Sequence, residues 1–235
     1  MLLLKSSPGA NLMGRVLAAF IVSLLSPLAF AQAQGIFVTP IPNAPLLAVV
    51  ITEGTRILED GTVANQKTLS AIARDNQGRI FNELRAWIPV SDTNDPPILS
   101  IHIYDPQTRQ NTFVRPQQKV AVQGTVNHPP ATQPPALAGP TGQYVKEEDL
   151  GTRRMEGVDC HGMRDTQTIP ADANGGKELK VVDEYWYSED LRLNMLVIHN
   201  DPRTGQLTTT VTQVSRTEPD AAIFTIPAGY QILSR

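Results

Sequence analysis

LLAVVITEGTRILEDGTVANQKTLSAIARDNQGRIFNELRAWIPV, Leu46 to Val90, is the stretch whose reading decides the fold class. Two long runs rich in β-branched residues are separated by the turn Glu59–Gly61. A third run follows the turn Asp75–Gly78. Both turns end in glycine, which supplies the positive φ that three- and four-residue hairpin loops require. In the third run Ile80, Leu84, Ala86, Ile88 and Val90 fall on one face at period two, and Arg79, Glu83 and Arg85 on the other. That alternation is the mark of a half-buried strand. The competing helix over TLSAIARDNQ fails, because its apolar residues do not continue at helical spacing beyond one turn.

The same pattern recurs outward from this stretch. In ILSIHIYD, Leu99, Ile101 and Ile103 alternate with Ser100, His102 and Tyr104, and Asp105–Thr108 turns the chain into a short strand around Phe113. LVIHNDPRTGQLTTTVTQV repeats the device, with Asp201–Gly205 as its turn. Proline presets φ in such turns and the aspartate side chain caps them. The second half adds two strands around EGV at 156–158, then LKVVDEYWYS, RLNMLVIHN and a closing AAIFTIPAGYQIL. Short strands at regular spacing with turn signals predict an all-β sheet, barrel or sandwich. Helix is confined to a single turn near Lys146–Asp149 or Pro219–Ala222.

Residues 1–31 read as a secretory signal peptide: Lys5 and Arg15, then the apolar run Val16–Leu25, then Ala29 and Ala31 at small-x-small spacing. Cleavage is expected after Ala31, with Ala33 as the alternative. The run is broken by Pro27 and falls short of the roughly 20 residues a membrane span needs. No cysteine stands near the cut to take a lipid. Cleavage leaves 204 residues of net charge −5 and no further span, so the expected place is the periplasm or the medium. Residues 32–45 read as a flexible mature N-terminus and 46–235 as a single β-rich domain, interrupted by a Pro-rich loop at 127–142. A mildly acidic chain without clustered Lys and Arg is no nucleic-acid partner. With Cys160 as its only cysteine the chain forms no internal disulfide.

EDLGTRRMEGVDCHG, DEYWYSEDLRL, the tail HNDPRTGQLTTTVTQVSRTEPDAAIFTIPAGY and the early ITEGTRIL with RDNQGRI resemble a group of exported bacterial β-rich proteins. More distantly they are similar to the lipoprotein-carrier (LolA-like) superfamily. The resemblance covers most of Val49 to Tyr230 and implies a curved antiparallel sheet, a half-open barrel, with little helix. The Pro-rich insert departs from the compact carrier pattern. No catalytic motif comes with the group.

There is no G-x-S-x-G elbow, phosphate-binding glycine loop or H-E-x-x-H. Cys160 and His161 are adjacent, so on a strand they point to opposite faces and cannot act together. A metal site from His102, His199 and Cys160 lacks paired ligand spacing, and His128 stands apart in the Pro-rich segment. Cys160 is expected to be buried. Glu147, Glu148 and Asp149 read as a solvated loop. What is left is the aromatic stretch EYWYSEDLRL. If an apolar ligand is held, its lining is expected from Tyr185, Trp186, Tyr187, Leu193, Met195 and Val197, because such pockets use aromatic and long aliphatic side chains. The expected function is therefore non-enzymatic: an exported binder of an apolar or lipid-like ligand, without cofactor or metal. The alternative is an envelope module whose partner is another protein. N-terminal sequencing of the exported protein is expected to start at Gln32; a start at Met1 rules the signal peptide out.

Overall fold

The computed structural model describes Ile36 and residues 38–58, 60–127 and 145–234. The expected signal peptide and residues 128–142 of the Pro-rich segment lie outside the described residues. Strands are β1 (Leu46–Ile57), β2 (Val63–Arg74), β3 (Ile80–Arg85), β4 (Ile88–Pro89), β5 (Ile98–Asp105), β6 (Gln110–Arg115) and β7 (Val120–Thr125), then β8 (Val145–Met155), β9 (Val158–Ile169), β10 (Leu179–Ser188), β11 (Leu193–Asp201), β12 (Gly205–Ser215) and β13 (Gln231–Ser234). They form one curved sheet in the order β13-β7-β6-β5-β3-β2-β1-β12-β11-β10-β9-β8, with β4 pairing β2 off this path. The sheet is not closed into a barrel. Every pairing is antiparallel except β13 with β7.

The hairpins are built as their turns dictate. In DNQG, the Asp75 carboxylate accepts from the backbone N–H of Gln77 and Arg79 at 3.0 and 2.8 Å, and Gly78 takes φ +82°. Asp105 and Asp201 cap the two Asp-Pro turns, accepting from Gln107 N–H at 2.8 Å and Arg203 N–H at 2.9 Å. Other expectations change. The third run breaks after Arg85 instead of continuing to Val90, and Leu84 is largely exposed. Lys146–Asp149 is neither a turn of helix nor a loop but the start of edge strand β8. The closing segment is split: a short 3-10 turn at Ala221–Phe224, then the separate strand β13. Strand β7 carried no turn signal strong enough to announce it.

Two apolar layers cover the sheet. Adjacent residues on β2, β3 and β5 divide between them, Ile72 from Ala73, Ile80 from Phe81 and Tyr104 from Ile103. Phe224, Ile223, Ile226 and Tyr230 lie on the second layer, so the F-x-I-P-x-G-Y tail is a clasp across β2, β3, β5, β6 and β7. Arg79 stacks its guanidinium over Phe224 at 4.9 Å. The first layer contains Ile36 and Val38, so the lead-in to β1 packs instead of hanging free. The reason is Arg74. Its side chain has no exposure and no ion pair with a described carboxylate, and it donates to Ala44 O at 2.6 Å, Thr39 O at 2.8 Å and Leu191 O at 3.2 Å. Burial pulls its pKa down to about 10, which leaves it charged at neutral pH.

Arg74→Met strands three carbonyls, and each buried acceptor left without a donor costs about 1–3 kcal/mol. A loss of at least ~3 kcal/mol in denaturant unfolding is expected. A loss below 1 kcal/mol contradicts the role given to this residue.

Candidate functional site

Cross-strand partners in a sheet share a face, and neighbours along a strand alternate. On that rule the ladder sorts the six expected lining residues. Tyr185 pairs with Val197, and Trp186 pairs with Leu196, so these two pairs project from opposite faces. A β-bulge then intervenes, because Tyr187 pairs with Asn194 and leaves Met195 as the extra residue. Beyond it Leu193 pairs with Ser188, which lies on the Trp186 side of β10. Trp186, Leu193 and Met195 therefore meet inside the first apolar layer, together with buried Cys160. Tyr185, Tyr187 and Val197 are half-buried and outside that layer. The structure thus splits the set three and three.

Trp186 is held on every side. Its ring lies on Gly162 of β9, where an added Cβ would come within 2.8 Å of the indole. The Arg153 guanidinium covers its other side at 4.1 Å from the ring centroid. The indole N–H donates to Glu184 Oε1 at 2.7 Å, and Arg164 Nη2 donates to Glu184 Oε2, also at 2.7 Å. Burial alone would raise the Glu184 carboxyl, but the hydrogen bonds from Trp186 and Arg164 outweigh it and hold the group below its ordinary 4.5. Cys160 is a buried free thiol, pushed up chiefly by burial, and His161 points the other way into solvent.

Ladder tracing also reveals a face that the sequence reading missed. Ile72, Asn82, His102, Phe113, Val122 and Leu233 are successive partners across β2, β3, β5, β6, β7 and β13. The row begins in the core and ends at the surface. Ile72 is core, whereas Phe113 is 45% exposed and Leu233 42% exposed. Leu84 shares this face and is 58% exposed. Through Ala48 and Val50 of β1, then Val211 and Thr209 of β12, the same face continues to Val197 and Tyr185. Trp87 leans onto it beside Leu207 and Gly54. His102 stacks on Phe113 with centroids 4.7 Å apart, and its Nε2 lies 2.5 Å from Asn111 Oδ1. Burial holds His102 below its ordinary 6.5, so the ring is neutral at pH 7. The signal for this face was present in the alternation of β5, but β7 and β13 were needed to complete it.

Two other regions were candidates. A polar groove of about 680 Å³ is lined by Glu53, Thr55, Asn65, Ser91, Gln206 and Thr208 among others, without a grouping that does chemistry. A charged row runs His199, Asp183, Asp165, Glu147 across β11 to β8, with His199 Nδ1 at 2.6 Å from Asp183. Burial, then Glu147 and Asp183, raise the Asp165 carboxyl. Among the described residues no group of three His, Cys, Asp or Glu is placed to hold a metal, and no helix is long and apolar enough to cross a membrane.

The lowered Glu184 value fixes a pH window. A carboxylate depressed in the folded state adds stability that is whole above its unfolded value, about 4.5, and is lost as pH falls through the lower folded value. Glu184→Gln is expected to unfold earlier than the parent at pH 7, with the gap closing below pH 4.5 as the parent carboxylate protonates. A gap unchanged across that window contradicts the coupling.

No protein-family model matches the chain, and no curated protein matches it. The solved structures similar to it include the Pseudomonas aeruginosa MucA/MucB complex, at 10% identity over 81% of this chain and 58% of that one, TM-score 0.40. They also include LprF from Mycobacterium bovis, at 11% identity over 80% of this chain and 90% of that one, TM-score 0.29. A LolA superfamily protein from Nitrosomonas europaea is similar at 10% identity, over 80% of this chain and 92% of that one, TM-score 0.29. The chain spans about three fifths of the MucB chains it matches.

Proposed function

We propose that this is an exported, non-enzymatic binding protein that holds an apolar or lipid-like molecule against the Phe113 face of its sheet. The observation that carries the reading is the row Phe113–Val122–Leu233, which leads out of the core and leaves large apolar side chains half-exposed on one face. Contiguous exposed apolar surface in a soluble protein marks a place where something binds. Tyr185 and Val197, two of the expected lining residues, lie farther along that face. Trp186, Leu193 and Met195 support it from within the core.

A hydrophobic dye displaced by an acyl compound measures the site, with Trp87 on the same face as a second reporter. Phe113→Asp and Leu233→Asp are expected to weaken dye binding about tenfold or more, since burying such a side chain is worth about 1.5–3 kcal/mol. Ile232→Asp, beside Leu233 but on the opposite face, is the control and is expected to change little. All three positions are exposed, so the variants are expected to stay folded. Equal loss in all three, or no binding by the parent, overturns the reading. Capture of a protein by the Phe113 face with no dye or lipid binding favours the envelope-partner alternative.

A further inference from the structure

Strand β8 ends the sheet, and among the described residues no strand pairs with its outer side. Its charges are sorted along its length. Glu147, Glu148 and Asp149 come first, Arg153 and Arg154 last, and Lys146 is taken up by Glu148 at 2.8 Å. The ladder to β9 is interrupted between Asp149 and Gly151, so Leu150 is an extra residue. That residue decides which side chains share a face. Glu147, Asp149, Thr152 and Arg154 pair with Asp165, Met163, His161 and Asp159, alternate residues of β9, and so project from one face. Glu148 and Arg153 pair with Arg164 and Cys160 and project from the other. In an unbroken strand Glu147 and Arg154 would point to opposite sides, as would Glu148 and Arg153. With the bulge, each face of β8 carries acid in its first half and base in its second. On the first face neither half is answered within the chain. Glu147 ends the row His199, Asp183, Asp165, and Arg154 reaches only Asp159, at 3.9 Å with both side chains largely exposed.

We infer that β8 is the docking edge for a second copy of this chain, joined antiparallel about a two-fold axis that passes between Leu150 and Gly151. This register sets Glu147 of each copy opposite Arg154 of the other on one face. On the other face it sets Glu148 opposite Arg153. Both contacts occur twice. Residues directly opposite in antiparallel strands must project from the same face, and the bulge is what meets that condition here. The break falls on the axis, so each regular half of β8 meets a regular half of its copy. Edge N–H and C=O groups that a lone sheet leaves open gain main-chain partners. Arg154 of the second copy also brings a cation to the end of the row Asp183, Asp165, Glu147. The contact is isologous and closes on itself, so joining two copies leaves neither β8 open. For a strand of any other sequence the same features are obstacles, since it meets mixed charge and a broken register.

The test is sedimentation of the exported protein over a range of concentration. The parent is expected to dimerise, with a dissociation constant that rises about tenfold between ~0.05 M and ~0.5 M salt, because exposed ion pairs are screened. Glu147→Arg and Arg154→Glu each put two like-charged pairs into the contact, and each alone is expected to weaken the dimer about tenfold or more. Mixed in equal amounts, the two variants are expected to form a heterodimer as tight as the parent dimer, because every reversed charge then meets its opposite. Both side chains are exposed, so thermal unfolding of each variant is expected to match the parent. Ile232→Asp, on the other edge strand, is expected to leave the dimer unchanged. A parent that stays monomeric overturns the inference, as does a dimer that neither reversal weakens. Weakening by both reversals without recovery in the mixture overturns it too. So does a dimer that tightens with salt, the mark of an apolar contact, or one lost in Ile232→Asp, whether or not the reversed variants fold.

Discussion

Arg74 is the constraint on which the rest of the structure depends. A buried guanidinium is satisfied by three main-chain carbonyls drawn from distant parts of the chain. Two belong to the lead-in before β1 and one to the β10–β11 turn. Because the planar fork fixes the directions of its N–H groups, those segments are positioned together. Ile36 and Val38 then cover the first apolar layer, and Leu191 closes it from the other end. Apolar packing supplies the driving force, but it is non-directional; the fork supplies the direction.

The strands of this fold were legible because each hairpin is written twice, once in the alternation and once in the turn. Asp75, Asp105 and Asp201 cap their turns as their positions before Asn, Pro and Pro suggest. The exceptions have local causes. Lys146–Asp149 looks helical or loop-like because its side chains are all polar, yet an edge strand with one open side needs no apolar face. The short strand β13 is hidden because its order comes from pairing with β7, a partner more than 100 residues earlier in the chain. Long-range partners of this kind leave no local pattern to read.

The candidate site was half legible. Residue types there suit an apolar surface, but strict alternation put Val197 with Leu193 and Met195. The extra residue of the β11 bulge sets Leu193 opposite Ser188, on the Trp186 side, since a shift of one residue exchanges the faces of a strand. A bulge without glycine or proline at its centre has no sequence mark, and Met195 is neither. The Phe113 row was missed for the opposite reason. Each of its members is ordinary within its own strand, and only the pairing of six strands in register makes them neighbours.

The two ends of the sheet have unlike defences against unwanted growth. Strand β8 is 11 residues long, but it presents Lys146, Glu147, Glu148, Asp149, Arg153 and Arg154, and its ladder is interrupted between Asp149 and Gly151. A foreign strand would meet charge of both signs and lose its register halfway. Strand β13 has no such guard, for Ile232 and Leu233 stand exposed at the rim. It is instead only four residues long. Stacked fibrils are seeded by segments of about six or seven residues, so the apolar rim is too brief to template one. The sheet thus keeps one edge long but charged, and leaves the other apolar but short.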